Sequence, residues 1–294
     1  MLLTLWIVFT ATFFLMRAVP GNPFNSERAM SPAKEQQMRQ RYNMDGTPLE
    51  QYVSVLGRTV QGDLGTSSKL EDYTVNEIIA EGFPVSASLA IFALAFAVIF
   101  GVSAGVISAV YRGTSADFSM MVGAVLGVAI PNFVVASVAI LLFVFEVAIF
   151  PAAGFGTLQQ IILPALCLGA PLAAYIARLC RAGMLEALNR EHVRTAFAKG
   201  LPKHVVILRH ALPAALLPVV SYLGPAVARV LTGSLVLEKI FALPGMGSHF
   251  IEAAFQRDYP LAIGVVLVYT ILLFTMNTIV DIAYAVIDPR VKLQ

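Results

Sequence analysis

The sequence predicts an all-α integral membrane protein with six membrane-spanning helices, and three observations carry that prediction. Of the 294 residues, 58% are hydrophobic and 13% are charged, and the mean hydropathy is +0.78. A soluble domain carries about a quarter charged residues, so this chain has too little polar surface to face water on all sides. Apolar runs approach or exceed the roughly 20 residues that a helix needs to cross the hydrocarbon core. Pro and Gly are scattered through those runs rather than gathered in linkers, which membrane helices tolerate.

Taken in order, the first span is Leu2 to Val19, ended by Pro20-Gly21. The second is Val85 to Val110, and the third Phe118 to Phe150 with Pro131 inside it. The fourth runs from about Ile161 to Ile176 and continues into polar sequence. The fifth extends from about Pro213 to Leu237 and the sixth from Leu261 to Ile287. Three regions follow: residues 1–19 as the first span, residues 20–84 as a connecting segment, and residues 85–294 as a core of five spans with a loop at about 179–212. The first run lacks the charged flank and small-residue cleavage site of a signal peptide, so it reads as a retained span with native residues expected upstream of Met1. The segment 20–84 is too long for a hairpin. Its Leu49, Tyr52, Val53, Val55 and Leu56 fall at helical spacing, which predicts a small cap of short helices.

Charge sets the orientation. Between the fourth and fifth spans, Arg178, Arg181, Arg190, Arg194, Lys199, Lys203 and Arg209 face only Glu186 and Glu191, a net +5. The segment 20–84 carries six basic and nine acidic residues, a net −3. Basic loops stay in the cytoplasm, so the loop lies inside, the acidic segment outside, and both termini in the cytoplasm. Arg290 and Lys292 at the tail agree. Cys167 and Cys180 lack CxxC spacing or a neighbouring His and read as buried or lipid-facing thiols.

Several chemistries are absent. No GxxxxGK[ST] occurs, so the chain has no loop of its own to cradle ATP phosphates. No HExxH or carboxylate-rich metal cluster occurs either. His192, His204 and His210 sit in the basic loop and His249 precedes the sixth span, which argues against a serine protease within the bilayer. A proton-driven transporter using Glu146 and Asp281 as a relay is the rival reading, but matching inverted halves with broken helices are not visible.

The basic loop reads Glu191-His192-Val193-Arg194-Thr195-Ala196-Phe197-Ala198-Lys199-Gly200-Leu201-Pro202. Glu191 suits the positive end of a helix and Lys199 the negative end. Gly200 supplies a left-handed stop, and Pro202 opens the next helix in its first turn. The prediction is a short helix, a sharp corner and a second helix leading into the fifth span. Val193 and Phe197, four apart, share one face and form an apolar knob. A short helix of this kind fits a groove on a partner protein; the plainer alternative is a basic loop resting on anionic lipid headgroups.

These residues carry a resemblance. The stretch EHVRTAFAKGLPKHVVILRHALPAALLPVV resembles the EAA loop of permease subunits of ABC importers, in the peptide and nickel branch. Gly200 takes the glycine of that motif, Ala196 its second alanine, and Leu212-Pro213 its closing pair. Arg194, Thr195 and His210 replace its leading Glu, first Ala and Ile, as they commonly are in the peptide branch. The start FFLMRAVPGNPF, the segment EKIFALPGMG, the RDYP before the last span and the end VDIAYAVIDPRVKL resemble the same branch, and within it DYTVNEIIAEGFPVSASL, GVSAGVISAV and SYLGPAVARVLTGSLVLEKI resemble oligopeptide permeases most. The resemblance implies a type I, MetI-like permease fold in which Glu191, Val193, Arg194, Thr195, Ala196, Phe197, Gly200 and Leu201 form the ATPase-coupling loop. It implies a second homologous permease, two ABC ATPase subunits that bind ATP and magnesium, and an extracytoplasmic peptide-binding protein. The chain itself is then a transport subunit, with no cofactor, metal or nucleic acid.

Other residues keep two readings. Gly101 with Gly105 and Gly123 with Gly127 form GxxxG patterns that pack helices within the subunit or against a sister permease. Arg229 and Asp281 form an internal ion pair or contact substrate. Pro244, Gly245 and Gly247 make a tight turn that re-enters toward the pore, with lining of the outer gate as its functional reading.

Overall fold

The computed structural model describes residues 1–18, 46–70 and 72–287, whose regular structure is helical apart from one isolated bridge between Thr66 and Thr74. The helices are α1 (Leu2–Ala18), α2 (Pro48–Val60), α3 (Val75–Val110), α4 (Ser115–Ala129), α5 (Asn132–Glu146), α6 (Leu158–Leu188), α7 (Glu191–Ala198), α8 (Lys203–Ala215), α9 (Leu217–Ile240), α10 (Met246–Gln256) and α11 (Tyr259–Ile287). Among the described residues, α3, α6 and α11 are long and apolar enough to cross a membrane unaided. Counting each bent pair α4–α5 and α8–α9 as one span brings the number to five; α1 is apolar but, with 17 residues, shorter than these.

Two spans differ from the sequence expectation in shape. The third is broken: α4 and α5 meet at 104°. Pro131 has no N–H to continue the ladder, and it drives Ile130 into the extended region at ψ 125°. The fifth begins ten residues before Pro213 and bends by 52° where α8 meets α9. The second also starts earlier than Val85. Thr74 and Glu77 cap each other's backbone N–H groups at 3.2 and 2.8 Å, so α3 begins at Val75 and carries Pro84 inside it.

The chain forms two compact units. The first comprises Met1–Ser86 and Ala242–Phe274. Val75, Ile78, Met246, Ala253, Leu261, Ala262 and Val265 form one core there, and Phe9, Phe13, Ile263 and Leu267 another. Of the cap expected in segment 20–84, α2 is described, entered through a Thr47–Glu50 capping box with Pro48 in its first turn. Tyr52 packs edge-on to Phe13 at 5.3 Å and shares a 2.8 Å hydrogen bond with Thr10, while Arg17 donates to Gln51 Oε1 at 3.0 and 3.2 Å. Residues 20–45 of the expected cap lie outside the described residues.

The deepest polar knot of this unit is at Asp258, 2% exposed. Its carboxylate accepts the Ser67 hydroxyl, the Ser68 N–H at 3.1 Å and the Leu261 N–H at 3.3 Å. It therefore caps α11 and pins the strand-like run before α3 in one contact set. Ser67 Oγ in turn accepts the N–H groups of Leu70 and Lys69 at 2.9 and 3.2 Å.

The second unit comprises Ala87–Phe241 and Thr275–Gln294. Helix α6 is its spine, touching α4, α5, α7, α8 and α9. Small residues let neighbours come close. A Cβ on Gly101 would meet Ala173 O at 2.7 Å, and one on Gly105 would meet Ala177 O at 2.6 Å. The first GxxxG thus seats α3 on α6 within the subunit. In the second, Gly127 faces Ala174, and Gly123 has open space around it.

Candidate functional site

The loop between α6 and α9 is built as a stopped helix between two others. Helix α6 ends at Leu188 with Asn189 as its C-cap, and Arg190 takes the extended N-cap conformation before α7. Helix α7 stops in a Schellman motif. Gly200 N–H donates to Phe197 O at 2.9 Å and Leu201 N–H to Ala196 O at 3.3 Å, with Gly200 at φ +78°. An L-residue in that conformation costs about 1–2 kcal/mol, so glycine is the natural stop. Pro202 is the N-cap of α8 rather than its first helical residue, and its carbonyl accepts from Val205 and Val206. Helix α8 then leads into α9, as expected.

The apolar knob is composed differently from the sequence expectation. Val193 is fully buried and Ala196 is 4% exposed, both turned toward the chain's own α6 and α8. Phe197 is 44% exposed and Leu201 37%. With 3.6 residues per turn, Phe197 stands about 70° from the middle of the Val193–Ala196 face. The two residues expected together therefore divide: Val193 anchors the helix, while Phe197 with Leu201 presents apolar surface outward. Glu191, Arg194 and Thr195 complete the exposed side. His192 Nε2 lies 3.2 Å from His210 O, which fastens α7 to α8.

At the base of this loop sits a carboxylate that the sequence reading missed. Asp117, 7% exposed, accepts Arg181 Nε–H at 2.9 Å and Nη2–H at 3.0 Å, the Gly113 N–H at 3.0 Å and the Ser108 hydroxyl. Those donors come from α6, from the turn between α3 and α4, and from α3. Lys203 adds a second tie, its Nζ 5.3 Å from the centre of the Tyr111 ring.

The remaining candidates are dispersed. Pro244, Gly245 and Gly247 belong to the first unit, where Ala242 at φ +48° and a Gly245 N–H to Leu243 O bond of 2.9 Å make the tight turn. The turn opens α10, whose Met246 N–H donates to Ser86 Oγ at 2.9 Å. Arg229 is exposed on α9 in the second unit, and the side chain of Asp281 lies outside the described residues. Tyr175 and Tyr222 join α6 to α9, ring centres 4.3 Å apart. Cys167 and Cys180 are buried free thiols. Among the described residues, no group of three or more His, Cys, Asp or Glu is placed to hold a metal.

Residues 101–293 match the family model described as binding-protein-dependent transport system inner membrane component. The chain belongs to this family. Matched residues of this inner membrane component include all of α4 to α9, and so the whole loop just described. It is 44% identical over 291 residues to the oligopeptide transport system permease protein OppB of Salmonella typhimurium, covering 98% of this chain and 95% of that one. It is 42% identical over 290 residues to the dipeptide transport system permease protein DppB of Bacillus subtilis, covering 99% and 94%. Among solved structures, an amino acid ABC transporter with histidines superposes with a TM-score of 0.56 at 14% identity, covering 71% of this chain and 94% of that one. That likeness supports the helical fold of the inner membrane component.

Proposed function

We propose that this inner membrane component is the permease subunit of an ABC importer that moves oligopeptides into the cytoplasm. It works beside a second homologous permease, two ATPase subunits that hold ATP and magnesium, and an extracytoplasmic peptide-binding protein. The basic loop and both termini lie in the cytoplasm. One observation carries the coupling role: α7 is anchored on the chain's own side by Val193 and Ala196, yet leaves Phe197 and Leu201 exposed beside Glu191, Arg194 and Thr195. Apolar side chains rimmed by charge at the end of a rigidly capped helix suit a protein groove. ATP-driven closure of the ATPases draws these helices together and opens the path outward, and hydrolysis returns it.

Phe197→Asp and Gly200→Asp are expected to abolish ATP-dependent peptide uptake while membrane insertion stays at wild-type level. Normal uptake in either variant sinks the docking role. A dipeptide cargo is the second reading, favoured by the 42% identity to the dipeptide permease. Competition between labelled dipeptides and longer peptides for uptake by the complete transporter decides between them.

A further inference from the structure

We propose that Asp117 is a positioning residue for coupling: through Arg181 it ties the helix that enters the loop to the turn that launches the broken span α4–α5. The inference rests on the coupling-loop reading of α7 and adds the route by which a displacement of that helix leaves it.

The geometry is specific. Four donors saturate the carboxylate: Ser108 and Arg181 Nε–H share Oδ1, and Gly113 N–H and Arg181 Nη2–H share Oδ2. Gly113, at φ +80°, turns its N–H toward Asp117 four residues ahead, and the Thr114 hydroxyl closes the same turn on Tyr111 O at 2.6 Å. A bidentate arginine fixes orientation as well as distance. Beside this tie and two turns further along, α3 and α6 approach closely at Gly105 and Gly101, where an added Cβ would lie 2.6 Å from Ala177 O and 2.7 Å from Ala173 O, so these two helices have no room to slide separately. Helix α4 lacks a side-chain cap at its start, since Thr114 donates backward instead of capping it. Asp117, in the first turn of α4, is therefore what holds that start to the α3–α6 pair. Motion of α7 reaches the end of α6 through Asn189 and Arg190. Arg181, about two turns back along α6, passes it to Asp117, and α4 carries it to the 104° break at Ile130–Pro131.

A purely structural ion pair would lower the amount of assembled protein and leave the coupling ratio alone. The test is done on the complete transporter in proteoliposomes, measuring ATP hydrolysis and uptake of radiolabelled tri-alanine in the same sample. Asp117→Asn and Arg181→Gln are each expected to leave recovery of the complex and hydrolysis in place and to lower tri-alanine moved per ATP by about fivefold or more. The double variant is expected to be no worse than either single one. Uptake and hydrolysis that fall together with recovery, or an unchanged ratio, overturn the proposal. Spin labels at Arg112→Cys and Asn189→Cys read the same link without cargo. One narrow distance is expected with Arg181 present and a broadened one in Arg181→Gln; an unchanged distribution overturns the link. If the wild-type complex does not move tri-alanine while the labels behave as expected, the peptide reading fails and the tie between α6 and α4 stands.

Discussion

Asp258 and Asp117 solve one problem with different partners. Each is a buried carboxylate in the first turn of a helix or just before it, and each accepts a serine hydroxyl and at least one backbone N–H. Asp258 adds backbone donors from residues 68 and 261, so it fastens one stretch of chain to another. Asp117 adds a guanidinium from a helix 64 residues away, so it fastens two helices by their side chains. A backbone knot fixes the path of a segment, and loosening it means unfolding that segment locally. A side-chain tie leaves both helices intact when it is cut. The first arrangement suits a static scaffold, the second a part that transmits force.

The comparison breaks most easily at Asp258. Asp258→Ala strands a hydroxyl and two N–H groups in a site with no access to water, and about 3 kcal/mol of stability is expected to go. Thermal unfolding of the solubilised transporter checks it, and a loss below that of Asp117→Ala would reverse the ranking. Asp117→Ala leaves a guanidinium that is 27% exposed and so partly solvated, and about 2 kcal/mol is expected. Ser108→Ala removes one neutral donor and should cost about 1 kcal/mol.

At the weak end stands Arg58–Asp63, 2.8 Å apart but 45% and 55% exposed. Arg58→Ala should change stability by less than about 1 kcal/mol. The Arg58 hydrogen bond, helped by the Gly65 N–H, holds the Asp63 carboxyl below its usual range. A depressed carboxyl stabilises the fold above its unfolded pKa and loses that contribution as pH falls through its folded value. Stability is therefore expected to be flat near neutrality, with any part due to Asp63 lost only below about pH 4. A loss below about pH 4 that exceeds about 1 kcal/mol and disappears in Arg58→Ala would show that this exposed pair matters more than the buried ones suggest.

Much of the fold was legible because apolar length and helix-ending residues are local signals. The span at α1, the amphipathic run of α2 and the stop at Gly200 all rest on residues within one or two turns. The Asp117–Arg181 tie was not legible, since Arg181 reads in sequence as one more charge of a basic loop and its partner lies in another helix. Helical spacing placed Val193 and Phe197 on one face, but only packing decides that Val193 is covered and Phe197 is not. Pro131 was visible inside the third span, whereas the size of the break depends on how α4 and α5 each pack on α6. One local signal went unused: Thr74-x-x-Glu77 is a capping box, and it marks the true start of α3 ten residues before Val85.

The make-up of the first unit has a consequence for biosynthesis. Its core joins Phe9 and Phe13 to Ile263 and Leu267, and Val75 and Ile78 to Met246 and Val265. A chain leaving the ribosome therefore inserts α1 and finishes α3 long before the residues that cover them exist. The second unit, gathered around α6, has most of its partners by the time α9 emerges. Synthesis order makes the first part of the chain the last to be finished. Nascent chains halted before residue 242 should therefore be cut by proteases around α2 and the run leading into α3, while the helices around α6 are already protected.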